Sequence, residues 1–543
     1  MNQLAVPSNS PSQALNSVTE STLALTLLFT PLARNVSLPE CLPRAELHEA
    51  LHLTLAERLA HICLPLLNVE YALFRHQRSG GFLPFERSSA LYEEFLANLG
   101  EGGWDQLLAE RPVLDRLVTL TTERWRATVT ELFERLARDA DTLSATFGVT
   151  GAPTQVRLGI SDPHNGGRTA AVLTFASGRR LLYKPKDLSV DRAWRAFAAW
   201  LEEYGAPWHP VVPAVVSREL YGWTSFVEMQ PCTNVAEQSA FFTSLGSMLA
   251  LLHLLGATDC HRENFVAHGV EPVLVDLETL LHPRPKHDPM PEAMRESVLA
   301  VEMLPCRYIG AGKQEIYFPG FDGEWETIAS TVIPTVPSSL SLREHAKPFC
   351  AGFAAMYEFL QNHKKHLADL NTGPLAAFRN CAVRYIHRPT MTYALTLRRA
   401  LRHLDSGARW TLPFAQLQHY DPPGLRDDAG ATLRAAEHTA LEHLDIPFFT
   451  ARSDATHLYW ENGGHLADFF DEPALDRASQ RANRFSLTDL TGQLELIHQA
   501  LAGRRAKTAK RTGSAAFLGW AIGRLTVHLL RLRTAPAAAA LRR

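Results

Sequence analysis

The sequence predicts an α+β protein: a small sheet-bearing core with long helical stretches on either side of it in the chain. Three observations lead there. Apolar residues recur at helical spacing through the first 150 residues, short branched and aromatic runs begin near 155, and helical patterns resume from about 348. The chain is therefore divided into a helical region over 1–150, a core over 151–405, and a helical part with a basic tail over 406–543.

The helical reading of the first part rests on residues 45–75 and 104–147, where Leu107, Leu114, Leu117 and Leu120, then Leu132 and Leu136, repeat at three- and four-residue steps. Residues 21–33 form an apolar run with no Lys or Arg before it, too short to span a bilayer, and it reads as a buried helix. Next, AAVLTF and RRLLYK flank Ala176-Ser177-Gly178, a strand pair joined by a glycine-assisted turn. Residues 238–256 make a strongly apolar helix, followed at once by the polar TDCHRENF and the strand PVLVD. Residues 283–345 are rich in Pro and Gly, lack periodicity and read as a long loop region.

With 543 residues, 46% hydrophobic and 20% charged, the chain is globular in composition, long enough for more than one core, and neither disordered nor fibrous. Seven cysteines with no CxxC point to a reducing compartment, so a cytoplasmic location and no stable membrane insertion are expected. The net charge is −3, yet residues 504–543 carry ten Lys or Arg and no acid, which leaves −13 on the rest. That tail includes FLGWAIGRLTVHLLRLR, read as a packing helix with a solvated basic face. Its basic residues are not interleaved with aromatics, and nucleic-acid binding is not expected.

The chemistry concentrates in ATDCHRENFVAHGVEPVLVDLE, where Asp259 is followed five residues later by Asn264 and twelve further on by Asp276, at the end of an apolar strand. Taken singly, each is an ordinary turn or strand-end residue. Together they have the layout of a kinase catalytic loop: an Asp to accept the proton of the attacking hydroxyl, and an Asn and a second Asp whose oxygens suit Mg²⁺. A two-lobed core like that of protein and lipid kinases is thus expected, with ATP and Mg²⁺ as cofactors and Asn264 and Asp276 as metal ligands. Lys184, ending RRLLYK, stands where a kinase keeps the lysine for ATP phosphates. TSFVEMQP could supply the hinge that meets adenine. No GxGxxG precedes Lys184, and HRD and DFG are missing in their usual form, so an ordinary protein kinase is disfavoured. In place of the glycine loop stands SDPHNGGR, whose Asp162 and His164 could work as an acid–base pair or contact phosphate.

SDPHNGGR, LLYKPKDL, TDCHRENF, PVLVDLETLLH, VRYIHRPTMTY and LDIPFF, in this order over about 150–450, are similar to stretches of one family. The chain resembles the dehydratase domain of LanM-type class II lanthipeptide synthetases. The resemblance implies ATP-dependent phosphorylation of Ser and Thr in a ribosomal precursor peptide, made of a leader and a core, followed by β-elimination of phosphate to dehydroalanine or dehydrobutyrine. It assigns Asp259, His261, Asn264 and Asp276 to phosphoryl transfer, Lys184 and Glu278 to the nucleotide site, and Arg384 and Thr390 to elimination. A guanidinium suits a departing phosphate. The elimination base is left among Lys184, Asp162 and His164. Full synthetases continue into a zinc cyclase with a Cys-His-Gly motif. No Cys lies beyond Cys381, so a stand-alone dehydratase with no zinc, and a separate cyclase as partner, are expected. The region before SDPHNGGR is also shorter than usual in that family. Two other readings compete: a peptide kinase that stops at the phosphate, and a non-catalytic peptide-binding scaffold.

Overall fold

In a computed structural model of the chain, the structure describes residues 26, 28–38, 42, 46–79, 89–286, 290–309, 315–318, 320–322, 336–337, 340–420, 425 and 428–502. The basic tail, the first 25 residues, and much of 310–339 lie outside the described residues. Helix and sheet are mixed, and the chain divides into two compact units, each drawn from separate stretches. Unit 1 comprises residues 1–185, 388–421 and 430–447; unit 2 comprises 186–387, 422–429 and 448–543.

Unit 1 begins with the helices expected from the apolar spacing. α1 (Glu46–Ser79) and α2 (Pro112–Phe147) are the long ones, with two shorter helices between them. Pro112 starts α2 at the position where a missing N–H costs nothing. One face of α2 buries Leu114, Leu117, Trp125, Val129, Leu132 and Phe133, and the Trp125 indole N–H donates to Thr54 Oγ1 of α1 at 3.0 Å. Three antiparallel strands follow: β1 (Pro153–Arg157), β2 (Ala171–Phe175) and β3 (Arg180–Lys184). The β2–β3 turn is the one read from the sequence, with Gly178 at φ +79°.

Unit 2 opens with α3 (Ser189–Glu203) and the short hairpin β4 (Val215–Ser217) and β5 (Gly222–Ser225). α4 (Val235–Leu255) is capped at its start by Asn234, whose side chain accepts from the Glu237 amide. It is long and apolar enough to cross a membrane by composition, as is much of α1, but most of α4 is buried inside its unit. The hairpin β6 (Phe265–His268) and β7 (Glu271–Leu274) comes next. α5 (Ala346–Asn362) packs against α4 so closely that a Cβ added to Gly246 would sit 1.9 Å from the Phe349 carbonyl, and one added to Gly352 1.9 Å from that of Thr243. The backbones meet because both helices present glycine.

The region over 283–345 is less featureless than its sequence suggests. It holds the helical turns Glu292–Arg295 and Val298–Val301 and a hairpin of Cys306–Ile309 with Glu315–Phe318, elements too short to show a period. The helical reading beyond 348 also needs correction. β8 (Ala382–Tyr385) starts a four-stranded antiparallel sheet, completed by β9 (Phe449–Arg452), β10 (Leu458–Trp460) and β11 (Gly464–Leu466). Strands of three or four residues carry almost no alternation, and β8 pairs with a segment more than 60 positions away. Between β8 and β9 the chain returns to unit 1 with α6 (Thr390–Ala400) and most of α7 (Asp428–Glu442). α8 (Ala474–Arg484) and α9 (Leu487–Ala502) finish the described part of unit 2.

Candidate active site

In unit 2 the catalytic-loop residues are gathered by the end of α4. Gly256 closes that helix at φ +60°, a conformation that favours glycine, and the Ala257 amide donates back to the Leu252 carbonyl at 3.0 Å. The chain then turns through Asp259, a non-glycine residue at φ +57°. Such a backbone persists only where its surroundings hold it. Three bonds do so: the Cys260 amide donates to the Val301 carbonyl at 3.1 Å, Thr279 Oγ1 donates to the Thr258 carbonyl at 2.7 Å, and Asn264 Nδ2 donates to the Asp259 carbonyl at 2.6 Å.

Asn264 ends a single 3₁₀ turn, and its carbonyl accepts the Val275 amide at 2.9 Å across the mouth of the β6–β7 hairpin. Asp276 is the next residue, so the hairpin brings together two oxygen-bearing side chains twelve positions apart. Asn264 Nδ2 is turned to the loop's own backbone, and the Asp276 carboxylate is more than a third exposed. Among the described residues no group of three or more His, Cys, Asp or Glu side chains is clustered to hold a metal. Asn264 and Asp276 carry hard oxygen donors of the kind that could hold Mg²⁺, an ion that binds through one or two protein oxygens and completes its shell with water and phosphate.

His261 Nε2 lies 3.4 Å from Asp259 Oδ1. Burial works to lower its pKa, but the hydrogen bond and charge of Asp259 outweigh it, and the imidazole ends above its ordinary value. Glu302, also in the left-handed region at φ +64°, is bonded to the Thr258 side chain and the Asp259 amide. Burial first, and then the Asp259 charge, push its carboxyl up to about 8. Arg262 anchors the loop. Its guanidinium donates to the carbonyls of Phe321, Pro337 and Leu340 at 2.7–2.8 Å and so ties the loop to backbone 59 to 78 positions further along the chain.

Beside this loop lies a partly buried charge cluster. Lys186 Nζ is 2.9 Å from Asp276 Oδ1 and is bonded to Glu278 Oε2; Arg384 Nη1 is 2.5 Å from Glu278 Oε1. Burial pulls down the Lys186 pKa, yet Asp276 and Glu278 raise it overall. Burial likewise opposes ionisation of Glu278, but Lys186 and Arg384 hold its carboxyl far below the usual carboxylate range. Arg384 is raised in turn, with the Glu278 carboxylate outweighing burial, and its guanidinium covers the Phe448 ring at 5.0 Å.

The structure thus brings Asp259, His261, Asn264, Asp276, Glu278 and Arg384 together within unit 2. Lys184, Asp162, His164 and Thr390 belong to unit 1. Lys184 is buried at the end of β3, Thr390 is the first residue of α6, and Asp162 and His164 lie on the loop before β2. The segment TSFVEMQP begins with the last two residues of β5, and its Gln230 backbone bonds to both Ala267 and Gly269 of the β6–β7 hairpin.

The family described as "Domain of unknown function (DUF4135)" matches residues 112–332 and 323–452. The chain belongs to this family. Every candidate residue named above lies within the DUF4135 match. The chain is also 23% identical over 381 residues to "Lacticin 481/lactococcin biosynthesis protein LcnDR2" of Lactococcus lactis subsp. lactis, an alignment covering 62% of this chain and 40% of that protein. It spans well under half the length of that relative.

Two residues of this DUF4135 site escaped the sequence reading. Lys186 was visible as the second lysine of KPK, but only its contacts distinguish it from Lys184. Glu302 is the lone acid in the apolar run SVLAVEMLP, and a solitary charge in such a run is itself a signal of a special environment.

Proposed function

We propose that this protein dehydrates Ser and Thr side chains of a ribosomal precursor peptide, by ATP-dependent phosphorylation and then elimination of phosphate, on a kinase-like core. The observation that carries this reading is Glu278, which ties the phosphoryl-transfer group Asp276, through Lys186, to the buried cation Arg384. A guanidinium held there suits a departing phosphate. The matched relative, a lacticin 481 and lactococcin biosynthesis protein by its name, supports a place in lanthipeptide biosynthesis.

In the first half, Asp259 accepts the proton of the substrate hydroxyl while its oxygen bonds to the γ-phosphorus of ATP and the bond to the ADP oxygen breaks. His261 orients Asp259 through their 3.4 Å contact. Mg²⁺, held by Asn264 and Asp276, would offset the charge of the phosphates, with Lys184 assigned to the same task. In the second half, a base removes the peptide α-proton, the C–H electron pair becomes the Cα=Cβ bond, and the Cβ–O bond breaks to release phosphate. Arg384 and Thr390 are assigned to that leaving group, and Lys184, Asp162 or His164 to the proton. The sum is loss of one water from each modified residue, with ATP converted to ADP and phosphate.

The test is incubation with ATP, Mg²⁺ and the precursor peptide encoded beside the protein, followed by peptide mass. Loss of water supports the dehydratase. Gain of phosphate alone would reduce the reading to a kinase, and an unchanged mass with peptide still bound would leave a scaffold.

A further inference from the structure

Unit 1 contains a buried carboxylate that the chemistry above does not use. Asp445, in the LDIPFF stretch, is 1% exposed. Its oxygens accept from the Gly166 amide at 2.9 Å, the Gly167 amide at 2.8 Å and Arg124 Nη1 at 2.7 Å. Asn165, Gly166 and Gly167 have φ values of +47°, +89° and +78°, three consecutive residues in left-handed backbone. Successive amides in turn conformations of this sort converge into a concave anion-binding nest. Here the anion is a side chain of the protein itself, 278 positions away from Gly167.

The same segment clips the loop at two further points. The Ile446 amide donates to the Pro163 carbonyl at 2.8 Å, and the Ile446 carbonyl lies 2.7 Å from His164 Nδ1. A carbonyl can only accept, so the hydrogen sits on Nδ1 and Nε2 is the basic nitrogen of that ring. His164 and Arg168 close the loop by exchanging both backbone bonds, and Arg58 Nη2 donates to the Gly167 carbonyl at 3.0 Å. A carboxylate is what the nest requires. It presents two acceptor oxygens to two N–H groups, and its charge faces Arg124. An asparagine has one acceptor oxygen and would turn an NH₂ toward an N–H.

We propose that Asp445 is a positioning residue for phosphate elimination: by filling the nest at Gly166 and Gly167 it holds Asp162 and His164 in one geometry for the phosphorylated peptide. This rests on the dehydratase reading, in which those two residues serve the second half of the reaction. Phosphorylation, assigned to Asp259, Asn264 and Asp276 of unit 2 with Lys184 at the end of β3, is expected to persist when Asp445 is changed.

The experiment compares wild-type protein with Asp445→Asn by two measurements. Amide hydrogen exchange is expected to quicken by about tenfold or more over residues 162–168, the factor set by losing a charge-assisted hydrogen bond, while β2 and β3 stay protected. Unchanged exchange overturns the proposal. With ATP, Mg²⁺ and the precursor peptide, Asp445→Asn is expected to accumulate phosphopeptide, with phosphorylation within about twofold of wild type and elimination about tenfold slower. An equal fall in both steps overturns the positioning role. A wild-type protein that never dehydrates the peptide overturns the dehydratase reading instead, and the exchange measurement still decides whether Asp445 holds the loop. Arg124→Gln, which loosens the same carboxylate from one side, is the milder second variant should Asp445→Asn fail to fold. It is expected to shift the partition in the same direction to a smaller degree, and a partition identical to wild type with normal loop exchange counts against the proposal.

Discussion

Glu278 holds Arg384 twice: its backbone carbonyl accepts the Arg384 amide at 2.6 Å, and its carboxylate accepts from the guanidinium at 2.5 Å. The second carboxylate oxygen takes Lys186. A single acid thus pairs with two partly buried cations. Removing it by Glu278→Ala leaves Arg384 without its paired carboxylate and Lys186 with Asp276 alone, and we expect a loss of about 3–5 kcal/mol in urea unfolding. A Glu278→Ala protein as stable as wild type would show that the cluster is solvated and not buried.

Asp259 and Arg384 are expected to fail at different steps. Asp259→Asn keeps a residue tolerant of left-handed backbone, so the fold stands while phosphorylation falls about 10²–10⁴-fold. Arg384→Ala is expected to accumulate phosphopeptide. Quantitative mass spectrometry of the peptide separates them, and identical products from the two variants would contradict the division of roles.

Glu302 gives stability a definite pH dependence. Its folded pKa, about 8, lies above the ordinary 4.5, so the folded state binds its proton more tightly than the unfolded state does. The contribution is harmless below about 4.5 and turns increasingly unfavourable as pH rises toward 8, where the folded carboxyl finally ionises. Glu302→Gln removes this slope. Denaturation midpoints measured across that range should show the variant gaining on wild type as pH rises, and a constant difference would refute the shift.

Glu437, fully buried, accepts from Arg388 Nε at 2.6 Å and from Tyr393 Oη at 2.7 Å, and these two partners flank Thr390. Glu437→Ala removes the carboxylate paired with a buried guanidinium, at a cost of about 3–5 kcal/mol. The double change Glu437→Leu with Arg388→Leu should recover most of the loss. A double-mutant cycle by chemical denaturation measures the coupling.

The glycine contact between α4 and α5 leaves no room for a methyl group. Gly246→Ala and Gly352→Ala each drive a Cβ into a backbone carbonyl, which cannot swing aside as a side chain can. We expect each to lower stability by about 1–3 kcal/mol or more in thermal unfolding. A neutral result at either position would mean that the helices separate readily.

The sequence by itself determined what short-range chemistry determines. The long helices, the β2–β3 turn, and the spacing of Asp259, Asn264 and Asp276 were legible because each depends on neighbours within a turn or a hairpin. The short strands β8 to β11 were not, since three or four residues carry no usable period. Only the tertiary structure decided the partners. Lys186 reaches Glu278 across 92 positions, Arg384 reaches it across 106, and Asp445 reaches the Gly166–Gly167 nest across nearly 280. Those distances along the chain are closed by packing that no local pattern records. The charged groups concerned are defined by burial and by opposite charges, so their character exists only once the fold has brought them together.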